Sequence, residues 1–247
     1  MDEAATDPGV PGSARREGRR RALLVVATVA AVVLVGGGLA AWLWFVRAPT
    51  YRGGLEPGER YGIDVSTHQR SIDWDRVHRD GIDFAYIKAT EGGDFVDDRF
   101  AANWAAAADA GVQRGAYHFF TLCRPGADQA DNFLRTVPRA DDALPPVVDL
   151  EFVGNCSGRP EPDALRRELM VFVERVEAAT GKKVVFYVMD DFDQRYGVRR
   201  ALDRRVWVRS LFQRPATDDW LIWQSSDVAT VAGIEGGVDL DVMKPTP

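Results

Sequence analysis

Strand and helix patterns alternate along most of this chain, and that alternation limits what it can fold into more than any other feature. Tyr61–Ser66 reads as a strand, Ile72–Asp80 as a helix with Trp74 and Val77 on its inner face, and Phe84–Thr90 as a second strand. Phe100–Ala110 is an alanine-rich helix closed by Gly111, Arg114–Phe120 a strand, and Asp128–Val137 a helix. The apolar run inside Pro145–Phe152 reads as a buried strand, because Val-Val-x-Leu suits a pleated surface and two prolines mark its start. A helix from about Pro162 to Thr180, closed by Gly181, and a strand over Lys183–Met189 follow. Helical content then drops, and Arg205–Ser210, Leu221–Ser225 and Val238–Met243 are strand-like segments divided by short turns. Five strand–helix alternations imply a parallel sheet with right-handed crossovers. About eight strands in roughly 190 residues fit an α/β fold of the irregular, TIM-like (β/α) barrel kind, with fewer helices in its last third. An open doubly wound sheet is the alternative. No Gly-x-Gly-x-x-Gly follows the first strand, so a dinucleotide site has no support.

The N-terminal end is of another kind. Met1–Glu17 is polar and small with no apolar period, and reads as disordered. Arg15, Arg16, Arg19, Arg20 and Arg21 form a basic cluster. From Ala22 to Val46 no charge interrupts an apolar run long enough to cross a bilayer as a helix, with Trp42 and Trp44 near its far end. Arginines on the near side predict a cytoplasmic N-terminus (residues 1–21), a single-pass span (22–46), a linker (47–60) and an extracytoplasmic domain (61–247). A cleaved signal peptide competes, since Gly38-Leu39-Ala40 is a small-x-small site, but the run is too long for a typical signal core. Residues 1–47 carry six Lys/Arg and four Asp/Glu of the chain's 31 and 37, leaving 25 basic and 33 acidic residues and a net charge of −8. Such a balance speaks against nucleic acid as a partner. The only cysteines, Cys123 and Cys156, follow predicted strands on loops at one end, where export predicts a disulfide.

In parallel barrels the chemistry gathers at the C-terminal ends of strands. Read there, the chain offers Asp64, Lys88 and Glu91, Tyr117 and His118, Asp149 and Glu151, Tyr187, Trp223 and Gln224, and Asp239. Asp149 and Glu151 stand two apart on one strand, so their carboxyl groups share a face roughly 6.5 Å apart along the chain. Neighbouring acids at a buried strand end raise one another's pKa, the condition for keeping one protonated beside an ionised partner. An isolated Asp-x-Glu more often faces water or caps a helix, and only the converging acids and aromatics change that balance. Aromatic faces stack on sugar rings and carboxylates bind hydroxyls, so a carbohydrate groove is the natural reading. Three histidines without a His-Glu-x-x-His give no zinc pattern, and no Gly-x-Ser-x-Gly elbow is present; neither a metal nor a cofactor is expected. His118 reads as a satisfied strand-end histidine, and Lys88 as an ion-pair partner that can also touch substrate.

These residues resemble glycoside hydrolase family 25, the Chalaropsis-type lysozymes, N-acetylmuramidases that cut peptidoglycan. The resemblance rests on Gly-Ile-Asp-Val-Ser-Thr-His-Gln at 62–69, Tyr-Ile-Lys-Ala-Thr-Glu-Gly at 86–92, Gly-Ala-Tyr-His-Phe at 115–119 and Asp-Leu-Glu at 149–151. Gln-Ala-x-x-Phe at 129–133, Trp223-Gln224 and Val-Asp-Leu-Asp-Val at 238–242 complete it over about 185 residues. It implies Glu151 as general acid, Asp149 assisting at the substrate acetamido group or the charged intermediate, and Asp64 and Asp239 completing an acidic cluster. Lys88, Tyr117, Tyr187 and Trp223 are the expected substrate contacts, peptidoglycan strands the partner, and a monomer the expected state. A retaining, substrate-assisted route is favoured over a carboxylate nucleophile. The chain departs from the family in three places. Many relatives carry Trp-Gln-Tyr where Ser225 follows Gln224 here, and Asn where Asp241 adds an acid to the expected rim. Many show Trp-x-Ala-x-Tyr where this chain reads Trp207-Val-Arg-Ser-Leu211, which bears on subsite preference more than on the reaction. The Cys123–Cys156 pairing fits a subset of exported relatives.

Overall fold

A computed structural model describes residues 12–245 as two compact units that divide after Arg47. The first unit contains α1, Gly12–Arg47. It starts earlier than the sequence pattern suggests: residues 12–17, expected to be disordered, are helical, and the rest of that expectation, 1–11, lies outside the described residues. Once the apolar run has nucleated a helix, adding Ala, Arg and Glu at its end costs little, since each is a strong helix former. The apolar side chains of α1 stand exposed, and the helix is long and apolar enough to cross a membrane.

The second unit is a closed mixed barrel. Its strands are β1 (Arg60–Val65), β2 (Phe84–Glu91), β3 (Phe95–Val96), β4 (Gln113–Phe119), β5 (Val147–Leu150), β6 (Val185–Val188), β7 (Val206–Arg209), β8 (Trp220–Ala229) and β9 (Val238–Met243). The order around the wall is β1-β9-β8-β7-β6-β5-β4-β2, closed by a β1–β2 pairing, with β3 a short antiparallel addition to β2. Neighbours from β1 through β2, β4, β5, β6 and β7 to β8 are parallel, whereas β9 runs antiparallel to both β8 and β1. The expected (β/α) regularity therefore fails at the last strand. Only a turn with Gly233 and Gly236 joins β8 to β9, too short to carry the chain back for a parallel return.

The crossover helices are α2 (Trp74–Arg79), α3 (Phe100–Asp109), α4 (Gly126–Thr136), α5 (Pro162–Thr180), α6 (Asp190–Tyr196) and α7 (Val198–Ala201). Their apolar faces and the outward side chains of the strands, among them Val148, Leu150, Phe172 and Phe186, form the main core. A smaller core fills the barrel, where Phe84, Tyr86, Val147, Val185 and Trp207 meet. Gly62 and Gly115 make room for it, because a Cβ would lie 2.2 Å from the Phe84 ring and 2.4 Å from the Tyr86 ring, respectively.

The expected linker is packed down rather than free. Ala48 is buried, the Pro49 carbonyl accepts from the Thr230 amide at 2.8 Å, and Arg52 pairs with Asp80 at 2.5 Å. Gly53 lies against the Trp223 ring, where a Cβ would be 2.9 Å away. Arg214 closes the strap by donating to the Gly54 carbonyl at 3.0 Å and to both oxygens of Glu59 at 2.9 and 2.7 Å.

Candidate active site

Strand ends put the acids into one cavity of about 280 Å³ whose lining includes Asp64, Asp149, Glu151 and Asp239. Along β5 and the residue after it the alternation works as expected: Val147, Asp149 and Glu151 face the cavity, while Val148 and Leu150 face the helices. Asp64, near the end of β1, pairs in register with Asp239, at the start of β9. Because β9 is antiparallel, its N-terminal end arrives where the other strands have their C-terminal ends.

The electrostatics follow from burial. Asp149 is held well above the usual carboxylate range, first by desolvation and then by Glu151, with Lys88 opposing; its Oδ1 has no hydrogen-bond partner. Glu151 is also raised, again chiefly by desolvation, against the pull of Lys88 and Arg209. Asp64 is raised well above its ordinary value by burial and by Asp239, Asp241 and Asp149, and its carboxyl donates to Asp239. Burial raises Asp239 too, while donors from Gln224 and Asp64 favour its ionised form. Tyr187 donates to Gln224 Oε1 at 2.9 Å, which holds the amide beside Asp239. The four acids thus hold protons to a higher pH than free carboxyls, which suits acid chemistry near neutrality.

The aromatic contacts fall partly where the sequence suggests. Tyr117 and Tyr187 line the cavity, and burial raises both phenols well above their ordinary value. Trp223 does not line it. Its ring is fully buried with Trp220 and Val242, and its indole N–H donates to the Ser210 carbonyl at 2.7 Å. The strand period explains this correction: Gln224 points into the cavity, so its neighbour Trp223 points outward. Trp207 lines the cavity instead, together with Arg209 and Asp227, three residues the strand-end survey passes over. Alternation from Trp207 to Arg209 on β7 was the available signal. Lys88 is not among the lining residues; its ammonium binds Glu91 at 2.7 Å and lies 5.2 Å from the centre of the Phe119 ring.

Asp241 does not join the rim. On an antiparallel strand each step beyond Asp239 leads deeper, and Asp241 is fully buried with neither oxygen hydrogen-bonded. Burial first, and then Asp239, push it well above its usual range, and the Trp207 indole beside it favours the charged form only in part. His118 is a core residue as expected, between Thr90 Oγ1 at 2.7 Å and Gln129 Oε1 at 3.1 Å, stacked on Phe172, its pKa lowered to about 3 by burial.

Cys123 and Cys156 form a disulfide that joins the loops after β4 and β5. Asn155 ties the same loops, donating to the Phe120 and Glu151 carbonyls at 2.9 and 3.0 Å and accepting from the Leu122 amide at 2.9 Å. Both devices hold the strand end that carries Glu151. No group of three or more His, Cys, Asp or Glu among the described residues has the arrangement of a metal site.

Comparison with known proteins gives a consistent picture. The sequence model of glycosyl hydrolases family 25 matches residues 63–234. The YegX protein of Escherichia coli strain K12 is 38% identical over 194 residues, 75% of this chain and 70% of its own. Lysozyme M1 of Streptomyces globisporus is 36% identical over 197 residues, 72% of this chain and 65% of its own. The solved structure of a family 25 glycosyl hydrolase from Bacillus anthracis superposes with a TM-score of 0.72 at 33% identity, over 79% of this chain and 94% of that one.

Proposed function

The chain belongs to glycosyl hydrolases family 25 and is a glycoside hydrolase, and from that premise we propose that it is a muramidase, cleaving the β-1,4 bond between N-acetylmuramic acid and N-acetylglucosamine in peptidoglycan. The observation that carries the reading is the projection of Asp149 and Glu151 from one face of β5 into a cavity that also holds Asp64 and Asp239. Glu151, less buried than Asp149, gives its proton to the glycosidic oxygen. Asp149 orients the acetamido group of the sugar on the other side of the bond and stabilises the positive charge that develops as the bond breaks. The acetamido oxygen closes on the anomeric carbon, the leaving sugar departs with the proton, and water, deprotonated by the Glu151 carboxylate, opens the intermediate with retention. Asp64 and Asp239 share a proton below the sugar and keep the site electronegative where cationic character appears. The rings of Tyr117 and Tyr187 offer faces to the sugar.

The bond assignment is tested by reducing the products from purified peptidoglycan and asking which sugar carries the new end. New muramic acid ends are expected. New glucosamine ends would keep the hydrolase and overturn the bond, and no new ends from a folded protein that still binds glycan would leave a glycan-binding barrel without turnover.

The same reading places the barrel outside the cell, held by α1 as a single-pass anchor with residues 1–21 in the cytoplasm. The arginines before the apolar run and the disulfide between Cys123 and Cys156 support it. An alkaline phosphatase reporter fused after Pro247 is expected to be active in intact cells; an inactive, intact fusion would refute export.

A further inference from the structure

Among the described residues, the cavity is lined by five carboxylates, those of Asp64, Asp149, Glu151, Asp227 and Asp239, and by a single cation, Arg209. Arg209 ends β7, one strand step beyond Trp207 on the same inward face. Its Nη2 donates to Asp227 Oδ2 at 2.8 Å, and both side chains are 34% exposed. That is the one hydrogen bond the guanidinium makes among the described residues, out of five N–H donors in a planar fork. Asp227 therefore holds one end of the fork at the cavity wall, and the remaining donors make no protein hydrogen bond among the described residues. The guanidinium is also near enough to the reacting acids to favour the charged forms of Glu151 and Asp239.

A carbohydrate cavity dominated by carboxylates repels an anionic ligand, and one oriented cation reverses that at one spot. The two sugars of peptidoglycan differ at a single substituent, the lactyl ether of the muramic residue. It ends in a carboxyl group, either free as a carboxylate or tied as a neutral amide to a stem peptide with carboxylates of its own. Taking the muramidase reading above as given, we propose that Arg209, steadied by Asp227, binds a carboxylate of the muramic residue and thereby tells the two sugars apart. The planar fork suits such a group, which it can grip with two parallel hydrogen bonds. The ion pair it already makes is about one-third exposed and inexpensive to share, since such solvent-reached pairs contribute little on their own.

The test uses the full chain in detergent and four probes: oligosaccharides with a bare lactyl carboxylate, the same with that group as methyl ester, and peptide-bearing oligosaccharides with stem carboxylates free or amidated. Wild type is expected to prefer acid over neutral probe by about tenfold in kcat/KM, mostly through KM, as one charge-assisted contact allows. The preference should shrink with added salt. In Arg209→Gln the ratio should fall to one or below, since the acids then act unopposed, and Arg209→Lys should restore part of it, because charge returns without the fork. Preference confined to the bare pair assigns the lactyl group; preference confined to the peptide pair assigns the stem. An acid-to-neutral ratio that is the same in wild type and Arg209→Gln overturns the proposal. Failure of the muramidase reading shows separately, as no hydrolysis of any probe by wild type. Calorimetric titration of the same probes into Glu151→Gln, with and without Arg209→Gln, then reads the ratio from affinity.

Discussion

Glu151→Gln is expected to lower kcat by about 10³-fold with KM little changed, since general acid catalysis typically contributes about 10²–10⁴. Gln keeps the shape and the hydrogen-bonding reach of the side chain but has no proton to give to the leaving oxygen. Asp149→Asn should cost a comparable factor: the developing cation draws Asp149 into its ionised form against the burial that raises its pKa, and an amide cannot ionise. The pH profile carries a second signature. Glu151 must be protonated to act, so kcat/KM should fall tenfold per pH unit above its pKa. Desolvation raises that pKa, so the fall should start above the ordinary carboxylate range. Lys88 lowers it, and Lys88→Met should move the falling limb to higher pH. A Glu151→Gln enzyme with wild-type turnover would remove Glu151 from the mechanism altogether.

The second large effect concerns stability. Asp241→Asn should raise the melting temperature near neutrality and change it little at pH 4 or below. Asp241 is fully buried with no hydrogen bond to either oxygen, and its folded-state pKa is raised by burial and by Asp239. A raised value means that the folded chain keeps the proton after the unfolded chain has lost it. Below the unfolded value, about 3.9, Asp241 is neutral in both states and costs nothing relative to Asn. As pH rises, ionisation favours the unfolded chain by about 1.4 kcal/mol per pH unit until the folded carboxyl also ionises. For a domain of this size the gap in melting temperature should widen by roughly 3–5 °C per pH unit over that window. The cleanest readout is calorimetry of both proteins at pH 4.0, 5.5 and 7.0. A gap that does not change with pH would mean that the fold does not hold Asp241 protonated.

Most of the barrel wall could be read from the sequence because its strands announce themselves twice, by β-branched and aromatic runs and by the glycines and helices between them. The Asp149–Glu151 face was legible for the same reason, since a period of two needs no tertiary information. Strand direction was not legible. Val238–Met243 looks the same run forward or backward, and only its pairing with β1 and β8 fixes its sense. From that one ambiguity came the misplacement of Asp241, expected on the rim and found beneath it. Trp223 was misplaced by following a motif instead of the strand alternation, since Trp223 and Gln224 cannot share a face. The two-residue β3, the short helix α6 and the packed strap over 48–59 were missed because neighbouring elements stabilise them more than their own periodicity does.

The antiparallel entry of β9 sets a condition on when this enzyme can exist. Asp64 and Asp239, which pair in register across β1 and β9, lie 175 positions apart, and they meet only when β9 slides between β1 and β8. A growing chain that has reached β8 holds seven of the eight wall strands yet has an open seam and half of its acid pair. Contacts so distant in sequence are among the last a folding chain can make. The strand that closes the wall is thus also the one that completes the acid cavity, so closure of the barrel and assembly of the site are one event.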